Sequence, residues 1–410
     1  MFYPRKITSE IKKWLPEKEI IILNGPRQVG KTSLLEILKN ELLKSGIPEK
    51  TIFYLNLEEI KILETLNQDP ENILKYITIQ KEKNYFLLDE IQCLDNPSNF
   101  LKHLYDKYAG KIKIIVTGSS SLELKAKFQD SLAGRKISFL INSLNFEEFL
   151  IFKNFPHLDY LKKESLPEDI KSNFDKALSE YLVYGGMPAV TLQNDWELKQ
   201  KMLEEYVSAY INKDIRAIGK VENIADFNTL TKVLAAQIGN LLNINELGDT
   251  VGIPRREVKK YLDLLEFTFV LDKISPFKKN IRTQITKMPK IYFFDLGIRN
   301  AILGNFLEME SRSDAGHLFE NFVFLELKNQ RKDKIFFYRA KSKSEIDFVI
   351  EEKAKIILLK SKYKKLSRPI NSRVLKNFMK QESDIKEAKI INLNFNCHDG
   401  LIGYSDYREI

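Results

Sequence analysis

The run Gly25-Pro26-Arg27-Gln28-Val29-Gly30-Lys31-Thr32 has the spacing G-x-x-x-x-G-K-[ST], a set of residue types suited to gripping a polyphosphate. Glycine accepts backbone angles closed to other residues, so successive N–H groups can turn inward around a β-phosphate at a helix N-terminus. Lys31 is expected to reach the β- and γ-phosphates of ATP, and Thr32 to offer its hydroxyl to Mg2+. A second constellation, Asp89-Glu90, ends the apolar run Tyr85-Phe86-Leu87-Leu88. Asp89 is expected to support the water shell of Mg2+, and Glu90 to orient and polarise the attacking water.

Two further positions are candidates in the same chemistry. Thr117-Gly118-Ser119-Ser120-Ser121 is a hydroxyl-rich turn in which Ser119 could read the γ-phosphate, the alternative being a plain turn. Arg135, closing Ser131-Leu132-Ala133-Gly134-Arg135, could stabilise charge on the transferred phosphoryl group, in its own site or in a neighbouring subunit's. The second option admits an oligomer. The competing reading of Arg135 is a fold-stabilising salt bridge.

These residues need a scaffold that brings loop ends together. Strand patterns at Ile20–Asn24, Thr51–Leu57, Tyr85–Leu88, Ile112–Thr117 and Ile137–Ile141 alternate with amphipathic segments, which implies a parallel sheet with helices on both faces. Ligands of such sheets lie beyond the carboxyl ends of the strands, where both constellations fall.

At 410 residues the chain is long enough for two to four domains. No apolar run approaches the roughly 20 residues that span a bilayer, and the N-terminus lacks a signal-peptide pattern, so a cytoplasmic protein without a membrane partner is expected. Two cysteines and four scattered histidines are too few for a disulfide framework or a structural metal site. The net charge of +9 suits contact with nucleic acid without identifying it, and the abundance of Lys and Glu hints at a thermophilic source.

Past Asn145 the pattern turns helical to about Arg216, broken at Tyr184-Gly185-Gly186-Met187-Pro188, and reads as a helical lid. A polar linker is expected around Lys162–Lys171. Lys213 reads as solvated, while Arg216 is left open between a functional and a solvated role. Residues 217–280 look like a winged helix. A short helix ends at Gly252, Ile253-Pro254 opens a second, and Phe267–Ile274 would form a wing strand. The second helix carries Arg255, Arg256, Lys259 and Lys260, suited to DNA phosphates or simply a solvated face.

In the last section a helix from Ala315 to Lys328 bears Glu320, the stretch Glu345–Ile350 bears Asp347, and the next strand leads to Lys360-Ser361-Lys362. Helix carboxylate, strand Asp and then carboxylate-x-Lys would make the metal-binding core of a PD-(D/E)xK nuclease, but Lys360 stands where the carboxylate belongs. A cation there removes a ligand and repels Mg2+, so nuclease activity is not expected unless a migrated ligand such as Glu351 replaces it. The stretch 353–380 contains no acidic residue and ten basic ones, a surface for nucleic acid or an acidic partner if not merely solvated.

Taken together, Gly25–Thr32, Leu87–Glu90, Thr117–Ser120, Leu132–Arg135, Tyr184–Pro188 and Phe294-Asp295-Leu296-Gly297 resemble the prokaryotic AAA-type ATPases, common in archaea, that carry a C-terminal domain of unknown function. The resemblance runs nearly end to end and implies an ATP-binding core, a winged-helix segment and a restriction-endonuclease-like tail. The expected fold is α/β: a P-loop NTPase parallel sheet core (1–144), a helical lid (145–216), a winged-helix-like segment (217–280) and a small, degenerate nuclease-like domain (281–410). The function expected is an Mg2+-dependent ATPase acting as a nucleotide-driven switch with DNA as a candidate partner. The alternatives are an ATP-dependent nuclease with a divergent metal site and an ATP-binding signalling scaffold acting on protein partners.

Overall fold

A computed structural model describes residues 3–410 apart from 80–81, 119–131, 216–218, 220, 279–283, 285–286, 331–333, 354 and 383; of 212–214 it describes the backbone alone. The chain divides into two compact units, 1–142 with 267–269, and 143–266 with 270–410. The segments expected as lid, winged helix and tail thus fall in the second unit, except for 267–269 of the winged-helix segment.

In the first unit, five apolar runs become β1 (Ile20–Asn24), β2 (Ile52–Asn56), β3 (Asn84–Asp89), β4 (Ile112–Gly118) and β5 (Lys136–Leu140). All pair in parallel, in the order β2-β3-β4-β1-β5. Every residue of β3 and β4 is buried, as in strands covered on both faces, including Lys113 of β4, whose ammonium donates to the carbonyls of Trp14, Glu17 and Glu19. One core joins Ile20 and Ile22 of β1 to Phe86 and Leu88 of β3, Ile114 and Val116 of β4, and Phe100, Leu101 and Leu104 of the helix Pro97–Tyr108. That helix starts where Asn96 accepts the N–H of Asn99 and Pro97 fills the first turn.

The second unit opens with the helix Phe146–Phe152, closed by a reciprocal capping box between Asn145 and Glu148. The helix Glu168–Tyr184 begins inside the stretch expected as a polar linker, because Pro167 fixes its entry and Glu168 and Asp169 suit its first turn. It ends at Gly185, and Pro188 starts the short helix Pro188–Leu192. Three helices, Ile224–Ala236, Ile244–Val251 and Arg255–Phe267, then precede a ribbon of β6 (Leu271–Ile274) and β7 (Lys290–Phe293), paired antiparallel. The strand expected from Phe267 starts only at Leu271, since the helix before it runs to Phe267.

A separate six-stranded sheet closes the chain: β8 (Lys334–Arg339), β9 (Glu345–Glu352), β10 (Lys355–Ser361), β11 (Ile385–Asn392), β12 (Cys397–Asp399) and β13 (Ile402–Asp406), in the order β12-β13-β11-β10-β9-β8. The pairs β8–β9, β9–β10 and β12–β13 are antiparallel, whereas β10–β11 and β11–β13 are parallel. The helix Ala315–Gln330 packs against β10 and β7.

Candidate nucleotide-binding site

β1 delivers the chain into the loop Gly25–Gly30, and the helix Lys31–Lys44 carries it away. Gly25 sits at φ +153°, and a Cβ there would lie 2.2 Å from the carbonyl oxygen of Ile141, so no side chain fits. Gly30 caps the helix at φ +90°, and Gln28 takes the left-handed region at φ +61°, an uncommon choice for a residue with a Cβ. Pro26 and Val29 are buried, Arg27, Gln28 and Thr32 exposed. Lys31 is buried and donates to the carbonyls of Gly25 at 3.0 Å and Pro26 at 2.6 Å. Burial pushes its ammonium down to about 8 against the opposing pull of Glu90 and Asp89.

Arg5 braces this loop from the N-terminal segment. Its guanidinium donates to the carbonyl of Val29 at 2.9 Å and to that of Asn142, just past β5, also at 2.9 Å. A lone arginine here carries no spacing signal in the sequence.

Asp89 ends β3, buried. Its Oδ2 accepts the phenol of Tyr54 on β2 at 2.9 Å, and its Oδ1 accepts the hydroxyl of Thr117 on β4. Burial, with the carboxylate alongside, raises the Tyr54 phenol above its ordinary value. Glu90 follows in the left-handed region, φ +57°. Its N–H donates to Thr117 Oγ1 at 2.9 Å, and its side chain accepts from Gln92. One hydroxyl therefore ties both acidic residues to the neighbouring strand, and Thr117 is itself the partner of Leu23 in the β1–β4 ladder.

Ser119 lies outside the described residues, as does Arg216. Arg135 stands just before β5, its carbonyl accepting from the N–H of Ile20 at the start of β1. That is the amino-terminal edge of the sheet, whereas Gly25–Thr32 and Asp89-Glu90 follow the carboxyl ends of β1 and β3. Its guanidinium makes a two-point ion pair with Asp106, at 2.7 and 3.3 Å. The first unit brings together the phosphate loop, Lys31, Asp89 and Glu90, and it does not bring Arg135 to them.

Residues 17–150 match the family model described as an AAA domain. The first unit carries an AAA-type P-loop ATPase domain. Residues 175–308 and 315–398 match two models described as domains of unknown function, DUF8612 and DUF4143. The chain is 29% identical over 408 residues to uncharacterized protein MJ1544 of Methanocaldococcus jannaschii, covering 98% of this chain and 85% of that one. It is 28% identical to an uncharacterized protein of Haemophilus influenzae, covering 82% and 81%. Among solved structures, the Walker-type ATPase PABY2304 of Pyrococcus abyssi is similar at 14% identity and a TM-score of 0.49, over 74% of this chain and 96% of that one.

In the second unit, Glu320, Asp347 and Lys360 do meet, in the company of residues the sequence did not single out. Lys290 on β7 is buried, with its ammonium 3.1 Å from Glu320 and 2.8 Å from Glu345. Tyr292 donates to Glu320 at 2.6 Å. Lys360 reaches the carbonyl of Glu345 at 2.7 Å and Asp347 at 3.5 Å, and Ser361 donates its N–H and hydroxyl to Asp347 at 2.7 and 2.9 Å. Burial opposes the charge of Lys290, but Glu320, Asp347 and Glu345 outweigh it and hold the amine up at about 12. Burial and the Asp347 charge push Glu320 up to about 6. Two ammonium groups thus neutralise the carboxylates from within. Glu351 is exposed on β9, four residues past Asp347, and Lys362 is exposed beyond β10. Among the described residues no group of three or more His, Cys, Asp or Glu is arranged to hold a metal ion.

The candidate nucleic-acid residues are on the surface. Arg255, Arg256, Lys259 and Lys260 are exposed while Val258, Tyr261, Leu262 and Leu265 of the same helix are buried. Lys260 pairs with Glu257 at 3.6 Å. Within 353–380, the helix Arg373–Gln381 buries Val374, Leu375 and Phe378 and exposes Arg373, Lys376 and Lys380. No helix of the described residues is long and apolar enough to cross a membrane.

Proposed function

We propose that the chain is a Mg2+-dependent ATPase whose first unit hydrolyses ATP and whose second unit conveys the nucleotide state to DNA. The observation that carries the reading is the tethering of Asp89 and Glu90 through one buried hydroxyl, Thr117 Oγ1, beside a loop where Gly25 admits no side chain. Such rigid placement is what in-line attack on a phosphoryl group needs.

The donor set fits the group it would hold. Gly25–Gly30 would wrap the β-phosphate with backbone N–H groups, and Lys31 would exchange its loop carbonyls for β- and γ-phosphate oxygens. Thr32 and Asp89 are hard oxygen donors of the kind Mg2+ takes when phosphates complete its shell. Bound Mg2+ would neutralise charge on the phosphate oxygens. Glu90 would release Gln92 to orient the attacking water. Arg135, at the far edge of its own sheet, would serve only a neighbouring copy's site.

For the partner, the exposed stripes Arg255, Arg256, Lys259 and Arg373, Lys376, Lys380 support DNA through phosphate contacts, and the three-helix-plus-ribbon order supports a winged-helix reading. The lysine-filled cluster at Glu320, Glu345 and Asp347 argues against cleavage by the tail. The test is ATP turnover by wild type, Lys31→Ala and Glu90→Gln, with and without double-stranded DNA over a salt series. Loss of turnover in both variants and a DNA affinity falling steeply with salt are expected. Wild-type turnover by Glu90→Gln would overturn the site, and salt-insensitive or absent DNA binding would overturn the partner.

A further inference from the structure

The second unit contains an open cavity of about 960 Å3 that the ATPase reading does not use. One wall is a ladder of three rings. Tyr184 lies between Trp196, with centroids 5.2 Å apart, and Phe306, at 5.7 Å and nearly parallel. Lys199 is wholly buried, ion-paired to Glu180, with its ammonium 5.0 Å from the Trp196 ring and 5.4 Å from the Tyr184 ring. That buried pair fixes the ladder, yet Trp196 remains 52% exposed and Leu307, beside Phe306, 58% exposed. Large apolar side chains held rigid and left open to water mark contact surfaces.

Charge decides what fits there. Among the lining lysines, Lys153 pairs with Glu180 at 3.2 Å and Lys365 with Asp175 at 3.2 Å. Glu168, Glu308 and Glu310 also line the cavity, are exposed, and make no ion pair among the described residues. Three exposed acids without an ion pair therefore face one such lysine, Lys176, while Glu180 is shared by Lys153 and the buried Lys199, and Asp175 by Lys365 and Lys171. The exposed rim thus disfavours phosphate, and with it nucleic acid, and favours cations.

We infer that this cavity is a docking site for a peptide segment with an apolar anchor flanked by Lys or Arg. The anchor would fill the space beside the ring ladder, a guanidinium would lie on the open face of Trp196, and the flanking cations would meet Glu168, Glu308 and Glu310. The inference is independent of the nucleotide site.

The test uses the full chain and two fluorescein-labelled peptides, Arg-Lys-Leu-Phe-Arg-Lys and its acidic counterpart Glu-Glu-Leu-Phe-Glu-Glu, followed by anisotropy. The basic peptide should bind saturably and the acidic one at least tenfold more weakly. Trp196→Ala, and separately Glu308→Lys with Glu310→Lys, should each weaken the basic peptide at least tenfold, with melting temperature and ATP turnover unchanged. Glu308 and Glu310 are exposed, so the charge variant keeps the fold and reads the site independently of Trp196, whose ring packs on Tyr184 and over Lys199. Failure of the basic peptide to bind, equal binding of both peptides, or binding unmoved in both variants would overturn the proposal.

Discussion

The carboxylate of Asp295 occupies the place a side chain on Gly185 would need: a Cβ at Gly185 would lie 2.1 Å from Asp295 Oδ1. The contact is reciprocal, since a Cβ on Gly297 would lie 2.1 Å from the carbonyl oxygen of Tyr184. Asp295 is fully buried, accepts the N–H of Gly186 at 2.8 Å and caps the helix Leu296–Leu303 through the N–H of Ile298 at 3.1 Å. Tyr184–Pro188 and Phe294–Gly297, more than a hundred residues apart, are thus two halves of one joint within the second unit. Their chemistry is architectural.

Gly185→Ala should therefore destabilise the second unit by more than about 3 kcal/mol, adding steric overlap to a backbone conformation, φ +74° and ψ −168°, that is essentially confined to glycine. Gly304→Ala is the matched control. It too has positive φ, +64°, but nothing lies within 4 Å of the added methyl, and its cost should stay near 1–2 kcal/mol, as about that much is usual for a left-handed residue. Chemical unfolding of both variants measures the difference, and equal costs would remove the joint from the account.

Thr117→Val keeps the shape and removes the hydroxyl that holds both Asp89 and the N–H of Glu90. Turnover should fall roughly 10- to 100-fold, the usual scale for losing a group that orients a catalytic one. ATP affinity should change much less, because the phosphate loop is untouched, and Thr117→Ser should restore most of the rate. Equal losses in affinity and turnover would mean that Thr117 merely supports the fold.

The five strands of the first unit were legible to within a residue or two, β1, β3 and β4 as largely apolar runs buried on both faces, and the partly exposed β2 and β5 from their Ile, Phe, Tyr and Leu residues. The helix Arg255–Phe267 was legible from Val258, Tyr261, Leu262 and Leu265. β11, β12 and β13 were not. In β11, Lys386, Glu387 and Lys389 interrupt the apolar pattern, and burial is continuous only over its last three residues. At the candidate site, glycine and lysine spacing marked the phosphate loop, but the residues that fix its geometry act singly. Tyr54 is one polar group on an edge strand, and Arg5 has no periodic companion. Thr117 opened a hydroxyl-rich turn, yet its role depends on its being buried between β1 and β3, which only the strand order reveals. Lys290 carried no signal either, since its partners on the helix Ala315–Gln330 and on β9 are remote in sequence.

Lys31 also sets a pH dependence. Its amine is held down at about 8 in the free protein by burial, and phosphate oxygens would hold it protonated once ATP is bound. Binding then takes up a proton at high pH. ATP affinity should be constant below about pH 8 and fall as pH rises beyond it, by up to tenfold per unit. Titrations at pH 7, 8 and 9 check this. Lys31→Arg, whose charge persists throughout, should bind more weakly but without the fall, and a fall of the same size in that variant would assign it to another group.

Lys290→Met tests the cluster in which ammonium groups lie among carboxylates. Removing the buried ammonium leaves Glu320 without its cation and Glu345 with Arg339 alone, and losing one partner of a buried pair costs about 3–5 kcal/mol. Glu320 is already held near 6 by burial and by Asp347. Its folded value lies above its unfolded one, so its contribution to stability is full below about 4.5 and is lost as pH rises through 6. Without Lys290 that folded value should climb further, and protonation then relieves the variant more than the wild type as pH falls. The destabilisation measured by urea unfolding should accordingly be large at pH 7 and clearly smaller at pH 5. The same loss at both pH values would show that Lys290 stabilises the unit by packing its carbon stem and not by neutralising the carboxylates.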